Sequence, residues 1–512
     1  MQSTKIFSAA LFGINAKPVE VEADLGGGTL FHIVGLPDAA VSESKQRVRS
    51  AIKNSYFRFP RGSVVVNLAP ADIRKQGPSY DVAIALSILL ATGELDQSDI
   101  LPGSIFLGEL SLDGRLRPIH GALVCATTAK ERGFAHVFTP KENATEAALV
   151  GDIAIHPISN LRELVQVLKK ETPISTQEQT KINDMLSDIP SAQSDLCHIR
   201  GQEQAKRAIE IAAAGAHNIL MSGPPGSGKT LLARTMPTIL PRLTFEESIE
   251  ITKIFSMAGL LPDGKPVIAT RPFRSPHHTS SGAALVGGGT WPRPGEISLA
   301  HRGVLFLDEF PEFSRTVLEN LRQPLEDGVI TVSRASCTVE FPAKCMLVAA
   351  KNPCPCGYAT DASRRCTCNM RQIILYQKKL SGPILDRIDL FVDVPKVELD
   401  KLTCEQKAET SETVRSRVQN ARDIQTSRLH KHGLLSNADI PPHLVGELCP
   451  MSDEARIVLK NAAQCLGFSA RAYARVIKLA RTIADLGGSD AIKTQHVAEA
   501  VQYRLVSQFN EH

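Results

Sequence analysis

The sequence predicts a multidomain α/β protein with an N-terminal α+β domain, a P-loop α/β domain and a C-terminal helical lid. Short strands and helices alternate over residues 1–170, and a glycine-rich loop follows an apolar strand within 217–236. Residues 440–508 have the apolar period of helices throughout. A chain of 512 residues is too long for a single core, so several domains are expected.

The composition is that of a soluble globular protein, with 43% hydrophobic and 22% charged residues. The longest apolar stretch, 81–92, is too short to span a bilayer, so no membrane association is expected. A net charge of +4 neither requires nor excludes a nucleic-acid partner. The eleven cysteines are an odd number, and several lie in apolar runs, which favours reduced thiols and a cytoplasmic location.

The first 170 residues predict a mixed α+β domain. The N-terminal segment favours a first strand, and Gly26, Gly27 and Gly28 indicate a hairpin between the strands on either side. The further elements alternate along the chain: helix 38–54, strand 63–68, helix 80–93, strand 104–112, helix 121–133, strands 136–140 and 153–158, and helix 160–169.

The rest of the chain divides by composition. Residues 171–194 are polar, with scattered Pro and Ser and no apolar period, which predicts a linker. Strongly apolar strand–helix alternation then predicts a second domain at 195–398. Residues 399–512 predict a charged helical connector followed by the helical lid.

The segment "GPPGSGKT" lies between an apolar strand and a helix, as a phosphate-binding loop requires. Backbone N–H groups of such a loop cradle the β- and γ-phosphates of ATP, while Lys229 meets the phosphates and Thr230 holds Mg²⁺. A chance glycine turn is the alternative, but both flanking elements argue against it. The predicted nucleotide-binding residues are Gly223, Pro224, Pro225, Gly226, Ser227, Gly228, Lys229 and Thr230.

A second motif, "GVLFLDEF", is a buried strand that ends in two acids. Asp308 would hold the hydration shell of the metal ion, and Glu309 would orient or deprotonate the attacking water. Two acids at a strand end facing solvent are the alternative. The two motifs together predict an ATPase.

Three further polar residues are placed where an oligomeric ATPase needs them. Asn352 ends another apolar strand and can help to hold the lytic water, although a strand-end turn former is the alternative. Arg387, in "SGPILDRIDLF", can stabilise charge on the γ-phosphate across a subunit interface, unless it only pairs with Asp386 or Asp389. Arg471 begins a C-terminal helix and can fold back onto the nucleotide, with Arg475 one turn further on as the competing choice.

Four cysteines lie within the segment "NPCPCGYATDASRRCTCNM". Four thiolates can close a tetrahedral structural Zn²⁺ site, although a one-residue spacing is shorter than the usual two to four. Redox chemistry or accidental clustering is the alternative. The predicted zinc ligands are Cys354, Cys356, Cys366 and Cys368.

These motifs, with the insertion "FRSPHHTSSGAALVGGGTWPRPGEISLAHRGVLFLDE", resemble the magnesium-chelatase-like AAA+ ATPases. With "FLGELSLDGRLRPIHG" added, nearly the whole chain is similar to the competence-associated ComM/YifB family. The resemblance implies a homohexameric DNA helicase that promotes branch migration during homologous recombination in natural transformation. Its partners would be branched, double- or single-stranded DNA and other recombination proteins.

The resemblance also implies two segments that point into the pore of the ring. One is a helix-2 insert including 279–296, where Leu285, Val286 and Gly287 would contact DNA. The other is a pre-sensor β-hairpin within "GVITVSRASCTVEF", whose tip carries Arg334. An arginine there is suited to gripping phosphate without reading sequence, and solubility alone is the competing explanation.

The N-terminal domain resembles the Lon protease domain, an S5-type fold, and the turn 77–79 matches the segment with the catalytic serine. The family's catalytic lysine follows a Pro-Ile-Gly-Gly motif, and Leu123 occupies that position here. Because an apolar side chain cannot take the serine proton, proteolysis is not expected and Ser79 is predicted to cap a helix. A chelatase-type remodeller is the stronger alternative to a DNA motor, although the Asp-x-Ser-x-Ser signature of the chelatase partner subunit is absent.

Overall fold

A computed structural model of the protein describes residues 5–72, 74–180, 195–262, 264–289, 292–334, 337–361, 364–397 and 409–508. The chain forms two compact units. The first unit contains the described residues up to 180 together with Phe245–Ala269. The second contains the described residues from 195 to Thr244 and from Thr270 onward.

The strands and helices are numbered in chain order over the described residues. The strands are β1 (Ile6–Phe12), β2 (Asn15–Gly26), β3 (Phe31–Val34), β4 (Ser63–Ala69), β5 (Ser104–Phe106), β6 (Glu109–Leu110), β7 (Leu116–Arg117), β8 (His136–Pro140), β9 (Ala154–Ile158), β10 (Ile219–Ser222), β11 (Phe273–Arg274), β12 (Gly287–Gly288), β13 (Arg293–Pro294), β14 (Val304–Leu307), β15 (Val329–Arg334), β16 (Cys337–Pro342), β17 (Met346–Lys351) and β18 (Leu390–Asp393). The helices are α1 (Ala39–Asn54), α2 (Asp81–Ala91), α3 (Ala122–Glu131), α4 (Lys141–Ala147), α5 (Leu161–Leu168), α6 (Glu203–Gly215), α7 (Lys229–Ile239), α8 (Phe245–Ala258), α9 (Gly282–Val286), α10 (Glu296–Leu299), α11 (Arg315–Asn320), α12 (Arg322–Asp327), α13 (Met370–Gln377), α14 (Gly382–Leu385), α15 (Ser411–Leu429), α16 (Val445–Leu448), α17 (Asp453–Cys465), α18 (Ala470–Leu486) and α19 (Thr494–Gln508).

The first unit is built on a mixed seven-stranded sheet in the order β3-β4-β2-β1-β5-β8-β9. The predicted hairpin around Gly26–Gly28 is wrong, because β4 lies between β2 and β3 and pairs with both. The hairpin of this sheet is β1–β2, whose turn contains Gly13 at φ 61°. Strand pairing is a long-range choice that a glycine-rich turn does not fix.

Helix α2 forms the centre of the first core, with most of its residues fully buried. Its first residue, Asp81, is buried as well and pairs with Arg47 Nε of α1 at 2.7 Å. The Leu110 backbone N–H also donates to the Asp81 carboxylate, at 3.2 Å. These partners offset the cost of taking a carboxylate out of water, so the ion pair fixes α1 against α2.

The segment Phe245–Ala269 belongs to the first unit, although it lies between elements of the second unit in the sequence. The Ser256 hydroxyl of α8 donates to buried Glu146 of α4. The backbone carbonyl of Ser256 accepts from the Gly121 N–H at 3.2 Å. Val267 packs with Leu123 in a small apolar cluster. The range 195–398, predicted as a single domain, therefore includes one segment that belongs to the first unit.

The second unit has a parallel five-stranded sheet in the order β11-β14-β17-β10-β18. Strands β10 and β14 are buried at every position, as expected for strands covered on both faces. Helices α6 and α7 and the C-terminal helices share one apolar core with this sheet. This confirms the predicted α/β fold with C-terminal helices. Among the helices described, none is long and apolar enough to cross a membrane.

Candidate functional site

The phosphate-binding loop connects the carboxyl end of β10 to the first turn of α7. Gly226 and Gly228 have φ of 76° and 91°, a region that side chains other than glycine rarely adopt. A Cβ at Gly223 would collide with the backbone oxygen of Val394. The loop therefore needs glycine at all three positions, and it presents the helix N-terminus to an anion.

Lys229 lies at the start of α7 and is only 8% exposed. Its Nζ donates to the carbonyl oxygens of Gly223 and Pro224, at 2.7 and 2.8 Å. Burial lowers the pKa of Lys229 to about 8, although the charge of Asp308 acts in the opposite direction. A polyphosphate would supply the negative charge that favours the ammonium form.

Thr230 and Asp308 meet beside this lysine, although 78 residues separate them. The Thr230 hydroxyl donates to Asp308 Oδ2 at 2.8 Å, and the Glu309 N–H donates to Asp308 Oδ1 at 2.9 Å. A hydroxyl and a carboxylate side by side are the hard oxygen donors that Mg²⁺ takes in nucleotide sites. The donor set fits the predicted metal.

Glu309 follows directly after β14 and Asp308 and has φ of 51°, a left-handed conformation that is uncommon for glutamate. Its carboxylate Oε2 lies 3.0 Å from His278 Nδ1, in the segment before α9. Strained backbone of this kind is concentrated at active sites. His278 is a site residue that the sequence reasoning missed, because a contact across 30 intervening residues leaves no local pattern.

Asn352 comes immediately after β17, the strand next to β10. Its Oδ1 lies 3.4 Å from Lys229 Nζ. The amide therefore lies beside the lysine of the loop. The structure brings Lys229, Thr230, Asp308, Glu309 and Asn352 into one site.

Arg387 follows α14 and is 8% exposed. Its Nη2 pairs with the carboxylate of Glu326, and its Nη1 donates to the Pro383 carbonyl at 2.6 Å. Arg387 therefore pairs with Glu326, and not with Asp386 or Asp389 as the alternative from the sequence had it. Glu326 is a second residue that the sequence reasoning missed.

Two arginines of α18 have separate partners. Arg471 Nη2 lies 3.1 Å from the other oxygen of Glu326, so it stands beside Arg387. Arg475 pairs with Asp389 and donates to the Arg387 carbonyl at 3.2 Å. Burial alone would raise the pKa of Asp389, but the charge of Arg475 and the adjacent His217 outweigh it and lower that pKa. Arg475 is thus bound inside the fold, which leaves Arg471 as the better functional candidate.

The helix-2 insert contains α9 and the short β12–β13 pair, and residues 290–291 lie outside the described part. Leu285 is 1% exposed, so its side chain cannot contact DNA in this conformation, contrary to the prediction. The local reason is that Leu285 faces inward on a single helical turn. Val286 and Gly287 are half-exposed.

The predicted pre-sensor hairpin is present as β15 and β16, paired antiparallel from Val329–Pro342 to Arg334–Cys337. Ile330 and Phe341 anchor its base in the interior. The side chain of Arg334 and residues 335–336 lie outside the described part of the structure.

The four cysteines form a compact cluster in which every pair of sulfurs lies within 4.8 Å. Sγ–Sγ distances are 3.4 Å for Cys354–Cys356, 3.7 Å for Cys354–Cys366 and 3.5 Å for Cys356–Cys366. Tetrahedral Zn²⁺ with Zn–S bonds of about 2.3 Å would need sulfurs roughly 3.8 Å apart. The cluster, with Cys368, fits a four-thiolate metal site.

The turn at residues 77–79 leads into helix α2. Pro78–Tyr80 form a 3₁₀ turn after Gly77, and Tyr80, at the start of α2, makes no capping bond through its side chain. The prediction that Ser79 caps the helix is therefore wrong, because the turn occupies that position. The backbone carbonyl of Ser79 accepts from the Gly108 N–H at 3.0 Å.

Leu123 stands where the resemblance places a catalytic base, and it is fully buried in α3. It packs with Leu149 and Val267. Its backbone N–H donates to Glu146 Oε1 at 2.9 Å. The position has a packing role, which accounts for an apolar side chain there.

Comparison with known protein families gives matches along most of the chain. Residues 195–402 match magnesium chelatase subunit ChlI. Residues 19–143 match a second description, subunit ChlI of Mg-chelatase, and residues 408–504 match the ChlI C-terminal part.

Comparison with individual proteins gives full-length relatives. Competence protein ComM of Haemophilus influenzae is 42% identical over 510 residues, covering 98% of this chain and 97% of that protein. The uncharacterized protein YifB of Escherichia coli is 40% identical over 516 residues, covering 100% and 99%. The DNA replication licensing factor MCM2 of Arabidopsis thaliana is 24% identical over 331 residues, covering 60% of this chain and 32% of that protein.

Proposed function

The chain belongs to the magnesium chelatase subunit ChlI family and, with its full-length relatives, to the ComM/YifB proteins, and on that premise we propose that it is an ATP-hydrolysing DNA motor. The observation that carries the ATPase part is the assembly of Lys229, Thr230, Asp308 and Glu309 around one loop.

In the proposed reaction, the loop N–H groups and Lys229 bind the β- and γ-phosphates. Thr230 and Asp308 hold Mg²⁺, which neutralises phosphate charge when it is bound. Glu309 takes the proton of the attacking water, and Asn352 orients that water. Arg387 stabilises the charge that develops on the γ-phosphate of a neighbouring subunit, which requires a ring, and Arg471 folds back onto the nucleotide; we propose a homohexamer.

DNA is the proposed substrate of the motor. The full-length identity to a competence protein supports it, as does the weaker likeness to a DNA replication licensing factor. The hairpin β15–β16 and the half-exposed Val286 and Gly287 are the proposed contact points, with Arg334 gripping phosphates. We propose branch migration of recombining strands as the outcome, with recombination proteins as partners.

The four-cysteine cluster is proposed to hold one structural Zn²⁺ through Cys354, Cys356, Cys366 and Cys368. The first unit is proposed to be a Lon-like platform without protease chemistry, because Leu123 is buried where a base would be needed.

The test is the ATP turnover of the full-length protein with and without forked or three-stranded DNA, combined with strand displacement on the same substrates. Lys229→Ala should abolish nucleotide binding or turnover, and Glu309→Gln should bind ATP without hydrolysing it. Glu312→Gln is the matched control, because Glu312 lies in the next turn and pairs with Lys379 at 2.8 Å on the surface. Turnover that DNA does not stimulate would refute the motor and favour a chelatase-type remodeller.

A further inference from the structure

One carboxylate, that of Glu326, is shared by Arg387 and Arg471, the two arginines proposed to act on the nucleotide. Its Oε2 contacts Arg387 Nη2 and its Oε1 lies 3.1 Å from Arg471 Nη2. The three residues come from α12, the end of α14 and the start of α18, separated by 61 and 145 positions. A single negative charge thus holds two positive charges that would otherwise repel each other.

Arg387 cannot reach an external phosphate while this contact lasts. Its Nη1 and Nη2 are bound to Pro383 and Glu326, and the residue is only 8% exposed. Within the described residues, its Nε is buried without a hydrogen-bond partner. A buried N–H left unpaired is costly, and of the two groups that bind this guanidinium Glu326 supplies the opposite charge.

The Arg387 backbone, by contrast, is fixed. Its carbonyl accepts from Asn218 Nδ2 at 2.9 Å and from Arg475 Nη1 at 3.2 Å. Loss of the Glu326 contact would therefore free the guanidinium alone, without moving the chain that carries it. Arg471 is 64% exposed at its side chain and needs no such release.

Glu326 is also joined closely to the proposed DNA-gripping hairpin. Only Asp327 and Gly328 separate it from β15, and Gly328 has φ of 67°. A Cβ at Gly328 would meet the side chain of Lys344, which follows β16 at the base of the hairpin. A shift of the hairpin base would act on Glu326 through this short connection.

We propose that Glu326 is a latch, a positioning residue that holds Arg387 in a closed position and releases it when the hairpin β15–β16 moves on DNA. The latch rests on the proposed function for its role in turnover. It makes Arg387 available to the neighbouring site only when the hairpin is engaged. Basal hydrolysis would thus be restrained, and DNA would relieve the restraint.

The first test measures the contact itself and requires neither hydrolysis nor DNA. The full-length protein is treated with an arginine-selective dicarbonyl reagent, and the modification rate of Arg387 is followed by peptide mass spectrometry. Glu326→Gln keeps the shape but removes the charge, so Arg387 should react about tenfold faster. Glu319→Gln is the control, since Glu319 pairs with Arg322 one helix earlier. Equal Arg387 rates in wild type and Glu326→Gln would overturn the latch.

The second test measures turnover without DNA. Glu326→Gln should raise basal ATP turnover about tenfold at unchanged KM, whereas Glu319→Gln should not change it. The rise must disappear when Arg387→Ala is added. A rise that survives in the double variant, or a fall in Glu326→Gln alone, would contradict the proposal.

The third test concerns the hairpin. Forked DNA added to the wild type should speed labelling of Arg387, with binding of that DNA followed separately by fluorescence anisotropy. DNA that binds without changing the labelling would refute the link between the hairpin and Glu326. DNA that does not bind would refute the proposed motor, and the Glu326→Gln labelling would still decide on the latch.

Discussion

Replacing Arg475 by alanine separates the two neighbouring arginines of α18 by their roles. Arg475 is the cationic partner of Asp389, which is 5% exposed. Without the arginine, the partners of Asp389 among the described residues are the Asn218 N–H at 3.0 Å and His217 Nδ1 at 3.5 Å, and the charges of Lys478 and Arg504 also act on it. Breaking a buried pair typically costs about 3–5 kcal/mol. Because two polar partners remain, we expect the lower end, about 3 kcal/mol.

The expected loss in the free energy of unfolding corresponds to a lower melting temperature. The second unit has about 300 residues, so about 3 kcal/mol corresponds to a decrease of about 5 °C by calorimetry. Arg471→Ala is the control: its pair with Glu326 is exposed and should contribute less than about 1 kcal/mol. Arg471→Ala should therefore melt like the wild type while losing ATP turnover.

The pH dependence tests the cause. The pKa of Asp389 is lowered in the folded protein, so its stabilising contribution is present above the unfolded pKa of about 3.9 and is lost as pH falls below it. Without Arg475 the buried carboxylate takes up a proton more readily, so the deficit of Arg475→Ala should shrink from pH 7 toward about pH 4. Adding Asp389→Asn should recover part of the loss. A melting temperature within about 1 °C of wild type at pH 7 would refute this account of Arg475.

Three further outcomes are expected. Gly223→Ala should abolish nucleotide binding in a fluorescent-nucleotide titration, because its Cβ would collide with the Val394 backbone; Gly382→Ala, where a Cβ meets no atom within 4 Å, is the control, and normal binding by Gly223→Ala would contradict the loop geometry. Metal analysis should find about one zinc per chain, as one four-thiolate site requires, and Cys354→Ser should lose it; zinc retained by the variant would place the metal elsewhere. Ser79→Ala should leave ATP turnover unchanged, and a casein digest should show no ATP-dependent cleavage by the wild type; cleavage lost in Ser79→Ala would reinstate the protease.

The elements of the first unit were largely predictable from apolar periodicity. Helix α1 and strands β4, β8 and β9 lie where the sequence predicted them. The pairing of those strands was not predictable, because β3 joins β4 in parallel and not β2 as a hairpin. Periodicity records which face of a strand is buried, whereas neighbours in a sheet are chosen by packing over long distances.

The sequence by itself determined the glycine-rich loop and the acidic strand end, because both are local arrangements. Glycines and Lys229 act within a few residues of each other, so their order alone specifies their geometry. Only the tertiary structure decided the partners of charged side chains and the burial of Leu285. Glu326 meets Arg387 across 61 positions, and no spacing rule connects them. Such contacts depend on how α12, α14 and α18 pack, which is a property of the folded core and not of any segment.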